Sequence, residues 1–194
     1  MKDSLIKNYI SENRFQSYSS LEEYSENLVY SQKFYIPLSI LEVALRNALN
    51  IHLSNIVSDV WYEDDFLTKD SKEKIVQAKA LLAKRREKID KEKIIAELSF
   101  GFWVNLFKKP YDKKLRIKDI KKIFPNIENS TEPLINRDIL FKKLNHIRNF
   151  RNRVFHYEKV LNKSDFNGIE EVIFGIIKYF DEELFQYTKN LSKF

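Results

Sequence analysis

The chain has 194 residues and a formal net charge of +6, with no cysteine and three histidines. This length is sufficient for one domain with a hydrophobic core. The lack of cysteine excludes disulfides and thiolate metal sites, and the histidines form no HxH or HxxxH pair that would support a zinc site.

The sequence also argues against membrane insertion and nucleotide-cofactor binding. No apolar run is long enough to span a bilayer, and the N-terminus opens on polar sequence rather than a secretory signal. No G-x-G-x-x-G or P-loop string occurs. We therefore expect a cytoplasmic protein with no membrane contact, no metal and no other cofactor.

The first half of the chain predicts helices. One or two short helices are expected before about residue 30, with a cap signal in which Ser20 is followed three residues later by Glu23. A long helix is expected over about 31–57, with Pro37 in its first turn or at a kink. Its apolar residues recur at helical spacing: Phe34, Leu38, Leu41, Leu45 and Ala48.

The second half continues the helical pattern. With three glycines and four prolines in the whole chain, turn-rich sheet structure is disfavoured. We expect helices at about 69–89, 94–107, 113–123, 134–154 and 165–187, and a loop at 126–133. Without a repeat or a flexible linker, the simplest prediction is one all-α domain spanning residues 1–194.

A segment near the C-terminal end carries chemistry-bearing residues: Arg148-Asn149-Phe150-Arg151-Asn152-Arg153-Val154-Phe155-His156. Arginine binds phosphate oxygens in a fixed fork, and histidine exchanges protons near neutral pH. With asparagine to orient them, these side chains suit metal-free cleavage of a phosphodiester. His52 and His146 lack such a set, so we expect them to be structural or solvent-exposed.

Helical geometry places Arg151 in an unusual position. Leu140, Leu144, Ile147 and Val154 form the expected core face, and Arg151 falls in the same sector. Three outcomes are open: its stem packs while its head reaches water, it finds a buried carboxylate, or it lines a groove. Glu42 could pair with Arg151, pair with Arg46 one turn away, or orient His156.

The net charge is unevenly placed. Residues 108–122 hold eight basic and two acidic side chains, an excess equal to that of the whole chain. This run is either an electrostatic footprint for a phosphate backbone or an ordinary solvated lysine-rich face. The residues expected to contact RNA are Lys113, Lys114, Arg116, Lys118, Lys121 and Lys122, together with Arg148.

The string Arg151-Asn152-x-x-x-His156 resembles the R-N-x-x-x-H signature of the HEPN ribonuclease superfamily. More narrowly, the chain is similar to Abi-like proteins of the AbiD/AbiF type, which are bacterial abortive-infection proteins. Three stretches carry this similarity over about residues 20–185: Leu41 to Asn47, Leu98 to Trp103, and Ile147 to Glu158. Tyr157 and Glu158 stand where the family often has a further histidine or similar polar residue.

The resemblance implies a HEPN-like helical bundle with extra helices, whose motif helix spans about 134–156. It implies a metal-independent endoribonuclease acting as a toxin in anti-phage defence, with a composite site formed across a homodimer. A structured non-coding RNA is a further implied partner. In this interpretation His156 is the general acid or base, Arg151 stabilises charge on the phosphoryl oxygens, and Asn152 holds either Arg151 or the phosphate in place. Glu42 and Arg46 are additional catalytic candidates.

Two other functions stay open at this point. A non-catalytic RNA-binding protein on the same fold would use the same arginines to hold a structured RNA, with His156 as a contact. A DNA-binding regulator ranks last, because no short helix-turn-helix with a glycine turn is evident.

Overall fold

The computed structural model describes residue 4 and residues 6–127 and 136–192. These segments contain ten α-helices and no strand, which confirms the all-α prediction. The helices are α1 (Glu12–Phe15), α2 (Leu21–Gln32), α3 (Tyr35–Ile56), α4 (Lys69–Lys84), α5 (Lys91–Glu97), α6 (Phe100–Asn105), α7 (Ile117–Ile123), α8 (Arg137–Phe155), α9 (Ile169–Phe180) and α10 (Glu182–Leu191).

The long helix α3 is the centre of the bundle. It packs against α6, α7, α9 and α10, and α8 packs against α6 and α9. Its buried residues follow the predicted helical spacing and continue it to the end of the helix, from Leu38 to Leu53. Pro37 lies in the first turn of α3, as expected, where the amide hydrogen it lacks would have no helical partner.

The predicted cap at the start of α2 is confirmed. The Ser20 hydroxyl accepts a hydrogen bond from the Glu23 amide at 3.1 Å, and Glu23 in turn accepts from the amide and hydroxyl of Ser19. A hydrogen bond from Lys159, followed by those from Ser19, lowers the pKa of Glu23 to about 2. The serine–glutamate pattern thus predicts the start of α2 correctly, and Glu23 also connects this helix start to Lys159.

The prediction of two continuous helices is wrong, because in the structure a capping residue divides each of them into two. The 94–107 helix breaks at Leu98 and Ser99, which are extended, and Ser99 caps α6. The break lets the Trp103 indole donate to the Leu98 carbonyl oxygen at 3.3 Å. The 165–187 helix breaks at Asp181, whose carboxylate accepts from the Leu184 amide at 2.8 Å.

Other boundaries shift by a few residues. The long helix starts at Tyr35 rather than 31, the helix predicted over 69–89 ends at Lys84, and the basic helix starts at Ile117 rather than 113. Most of the loop predicted at 126–133 and the first residues of the 134–154 helix fall outside the described residues.

The core face of α8 agrees with the sequence prediction. Leu140, Leu144 and Ile147 are fully buried and Val154 is nearly so. Phe150 adds an aromatic anchor: its ring lies edge-on to Phe34 at 4.7 Å and to Phe166 at 5.1 Å between centroids. These contacts fix the rotation of α8 and hence the directions in which its polar side chains leave it.

In the described part of the chain, we find no helix that combines the length and apolarity needed to cross a bilayer.

A buried histidine makes the fold sensitive to pH. His52 of α3 lies with Nε2 3.3 Å from Asp119 of α7, and both side chains are almost completely buried. Burial lowers the pKa of His52 below its ordinary value of 6.5, although Asp119 opposes this. Because the unfolded chain then binds the proton more readily, the free energy of unfolding should fall as pH drops below about 6.5.

We expect a slope of up to about 1.4 kcal/mol per pH unit from this residue. Urea unfolding of the wild type and the His52→Gln variant between pH 7.5 and 5.5 measures it. The variant should lose the slope, whereas His146→Gln should retain it. Equal slopes in wild type and His52→Gln would contradict the assignment.

Candidate functional site

The chemistry-bearing segment lies at the C-terminal end of α8. The helix ends at Phe155, and His156 is the capping residue that follows it. Tyr157 adopts a left-handed conformation (φ 57°), and the amides of Tyr157 and Glu158 donate to the carbonyl oxygens of Val154 and Arg153. This double hydrogen bond is a Schellman motif, in which a tyrosine occupies the position that glycine usually takes. His156 therefore lies just beyond the regular helix, on a tightly fixed turn.

Arg151 finds the carboxylate that its position in the apolar sector requires. Its Nε donates to Oε2 of Glu42 at 2.8 Å, its Nη2 lies 2.8 Å from the same oxygen, and the two side chains are 25% and 22% exposed. The guanidinium also lies 4.6 Å from the centroid of the Phe155 ring. Of the alternatives left open by the sequence, the structure realises the pair between Glu42 and Arg151.

Arg46 does not join this pair. Its Nε donates to the Asn47 side chain at 3.4 Å, and no ion pair connects it to Glu42 among the described residues. It lies one turn beyond Glu42 on α3, on the same stripe as Tyr35. Arg46 therefore lies next to the pair but does not compete with Arg151 for the Glu42 carboxylate.

Asn152 points to a different region from Arg151, because neighbouring residues on a helix are separated by about 100°. With residues from the turn after α8, it borders an open cavity of about 620 Å³, here called the polar groove. The polar groove is lined by His146, Asn149, Asn152, Arg153, Glu158, Asp165 and Phe166. Arg151 is not among the residues that line the polar groove beside Asn152.

Arg148 is held against α6. Its Nη1 donates to the Asn105 side chain at 3.3 Å, and its stem crosses Gly101. A Cβ at Gly101 would lie 3.4 Å from Cδ of Arg148, so glycine permits this close approach. Arg148 is half-buried, and a role in RNA binding would use the part of the guanidinium that this contact leaves exposed.

The predicted basic segment lies at the opposite end of α8. Lys113, Arg116, Lys118, Lys121 and Lys122 are exposed, and Lys114 is half-buried with its ammonium 5.7 Å from the Phe66 ring centroid. Arg137 at the start of α8 pairs with Asp112 and donates to the Lys108 carbonyl oxygen. Since α8 rises by 1.5 Å per residue, the end of α8 that Arg137 ties to this segment is about 27 Å from the end that precedes His156.

Sequence reasoning missed the residues that hold the turn after His156. Asn27 of α2 is fully buried: its Oδ1 accepts from the amides of Val160 and Leu161 at 2.8 and 3.0 Å, and its Nδ2 donates to the Glu158 carbonyl oxygen at 3.3 Å. Arg14 donates to the carbonyl oxygens of His156 and Tyr157 at 3.0 and 2.9 Å. A lone asparagine in a polar helix gives no sequence signal for this role.

The other two histidines, His52 and His146, lie in different environments. His52 is structural and buried, as predicted, whereas His146 is half-buried and borders the polar groove, with its ring 5.7 Å from that of Phe166. No group of three or more histidine or carboxylate side chains suited to a metal occurs within the described segments.

Comparison with protein-family models, with curated proteins and with solved structures gave no match.

Proposed function

We propose that this protein is an abortive-infection ribonuclease that cleaves RNA without a metal, through the Arg151-Asn152-x-x-x-His156 motif. The proposal draws on the resemblance to HEPN ribonucleases and Abi-like proteins. The observation that carries it in the structure is the environment of Arg151. A cation in an apolar sector is held between a carboxylate and an aromatic ring, one turn before a histidine.

The fixed guanidinium supports a catalytic role. Because Glu42 occupies Nε and Nη2 and Phe155 lies against the guanidinium, Arg151 has few conformations to lose when an anion arrives. Its Nη1 has no partner among the described residues and is the donor that a phosphoryl oxygen would take. A preorganised donor of this kind stabilises charge that develops in the transition state.

His156 would supply the proton transfer. It is exposed, and the turn that bears it is fixed by the Schellman motif and by Arg14. As general base it would take the proton of the ribose 2′-hydroxyl, and the oxygen would attack the adjacent phosphorus. The imidazolium then returns this proton to the leaving 5′-oxygen as its bond to phosphorus breaks, and a 2′,3′-cyclic phosphate results. DNA, which lacks the hydroxyl, would not be cleaved.

A homodimer would complete the site. Arg151 and Asn152 face different regions of one chain. In a dimer, the motif of the second copy can place its own side chains beside Arg151 of the first. Apolar surface surrounds the Arg151 pair: Tyr35 is 61% exposed and lies 6.0 Å from the Phe155 ring, and Val43 beside Glu42 is 43% exposed. Such surface favours contact with a partner chain. The mass in solution, measured by light scattering, should be twice that of the chain.

One observation favours the rival function, a non-catalytic protein that holds a structured RNA. The side chain of His156 forms no hydrogen bond with the described residues, so no hydrogen bond from that part of the chain orients its imidazole. A histidine that only contacts RNA needs no such orientation. The loss of the His156 side chain should abolish cleavage if the protein is a ribonuclease, whereas an RNA-holding protein has no cleavage to lose.

The test compares the wild type with the His156→Ala variant. Purified wild type should cut single-stranded RNA into fragments that end in cyclic phosphate, in the presence of EDTA. His156→Ala should lose cleavage by at least about a hundredfold and keep its affinity for RNA, because the histidine moves protons rather than binding the backbone. In cells, expression of the wild type but not of the variant should arrest growth and fragment RNA.

Gln77→Ala is the control, since Gln77 is an exposed polar side chain of α4 that the proposed site does not use. It should cleave at close to the wild-type rate. RNA that co-purifies intact with both wild type and His156→Ala, with no cleavage by either, would support the RNA-holding function and exclude the ribonuclease.

A further inference from the structure

The turn after His156 borders a second cavity whose charge is predominantly positive. This cavity, of about 390 Å³, is here called the basic groove. It lies between the N-terminal segment and the turn, and the residues that matter are Asn13, Arg14, Arg153, Glu158, Lys159 and Lys163. Four of these are cationic and one is anionic.

Not all four cations are equally available. Lys159 is committed to Glu23 at 2.5 Å and to the Ser17 carbonyl oxygen, and Arg153 pairs with Glu158 at 3.0 Å. Arg14 uses Nη1 on the carbonyl oxygens of His156 and Tyr157. Neither Arg14 nor Lys163 has a carboxylate partner within the described segments. These two cations therefore give the basic groove an uncompensated positive charge.

The basic groove adjoins the polar groove, because the paired side chains of Arg153 and Glu158 line both. The polar groove contributes amide side chains from Asn149 and Asn152 and the partly exposed ring of His146. Cations in one cavity, beside amides and a ring in its neighbour, match the phosphates and bases of a nucleic acid strand.

We propose that the basic groove binds the phosphate backbone of single-stranded RNA and seats it beside His156. Arg14 and Lys163 contact phosphate oxygens, and Arg14 couples that contact to the carbonyl oxygens of the turn on which His156 lies. The inference rests on the proposed function, since it takes RNA to be the ligand. It assigns the primary backbone contacts to this end of α8 rather than to the basic segment at the opposite end.

Binding can be measured without cleavage. The probe is a fluorescent single-stranded 2′-O-methyl RNA, which lacks the nucleophilic hydroxyl, and the readout is fluorescence anisotropy over a range of salt concentrations. Lys163→Gln removes a cation that has no ion pair, and Asn13→Glu adds a carboxylate to the basic groove. Each should weaken binding by about fivefold, and Lys163→Gln should lower the slope of log affinity against log salt by about 0.7.

Two further variants locate the effect. Lys69→Glu in the exposed first turn of α4 should bind as the wild type does, and Lys118→Glu in the basic segment should have a smaller effect than Asn13→Glu. Circular dichroism of all variants should be unchanged. Wild-type affinity in both Lys163→Gln and Asn13→Glu overturns the proposal, as does a wild type that does not bind the probe.

The outcomes separate this inference from the proposed ribonuclease. A protein that binds the probe through the basic groove but leaves unmodified RNA intact supports the groove and contradicts the ribonuclease. A protein that cleaves RNA through His156 while both groove variants bind normally overturns the groove alone.

Discussion

Replacing Arg151 by alanine should abolish RNA cleavage and destabilise the fold at the same time. The substitution removes the hydrogen bond and the ion pair to Glu42 and leaves that partly buried carboxylate without its cation. We expect a loss of about 2 kcal/mol in the free energy of unfolding. Cleavage should fall by at least about a hundredfold, because a preorganised donor to the phosphoryl group disappears. Urea unfolding and initial cleavage rates measure the two effects.

The Glu42→Gln variant separates stability from catalysis. An amide at this position can still accept a hydrogen bond from Arg151 but no longer carries charge, so most of the stability should remain. Because Arg151 then becomes less firmly held but stays present, cleavage should decline less than in Arg151→Ala. A double-mutant cycle with Glu42→Ala and Arg151→Ala should give a coupling energy of about 1–2 kcal/mol. A coupling energy near zero would show that the pair does not fix the guanidinium.

Replacing Asn27 by alanine should produce the largest loss of stability among these variants. The side chain is fully buried and serves two amides and a carbonyl oxygen of the turn after His156, as well as the Tyr18 hydroxyl at 3.1 Å. Alanine would leave the buried amide of Val160 and the part-buried amide of Leu161 without a partner. We expect a loss of about 3 kcal/mol and faster hydrogen exchange at these two amides.

Ser25→Ala, on an exposed position of the same helix, is the control. Its hydroxyl contacts the Leu21 carbonyl oxygen, and its loss should change stability by less than about 0.5 kcal/mol. If Asn27→Ala is no less stable than Ser25→Ala, then the turn is held by other contacts, and Asn27 has no positioning role. If it is unstable but Val160 and Leu161 exchange normally, the loss arises elsewhere in α2.

The sequence by itself determined the fold class and the rotation of the motif helix. Few glycines and prolines, with apolar residues at helical spacing, required helices, and the burial of Leu140, Leu144 and Ile147 confirmed the predicted core face of α8. Local caps were also readable where side chain and backbone are close in sequence, as at Ser20 and Glu23. These features depend on the periodicity and hydrogen bonding of short segments.

Sequence reasoning failed at two helix breaks whose capping residues, Ser99 and Asp181, lie within apolar runs. The extended backbone at Leu98 and Asp181 interrupts two apolar runs that would continue equally well as helix. The caps were passed over because apolar residues continue at helical spacing on both sides of them.

The partners of the candidate site were decided by the tertiary structure. The sequence offered Glu42 three possible roles, and the packing of α8 near α3 selected Arg151, 109 residues away. The basic groove arises because the N-terminal segment folds against the turn after His156, joining Arg14, Arg153 and Lys163, which no linear pattern connects. Contacts between distant segments depend on how helices pack, and a single sequence fixes that packing only through the whole core.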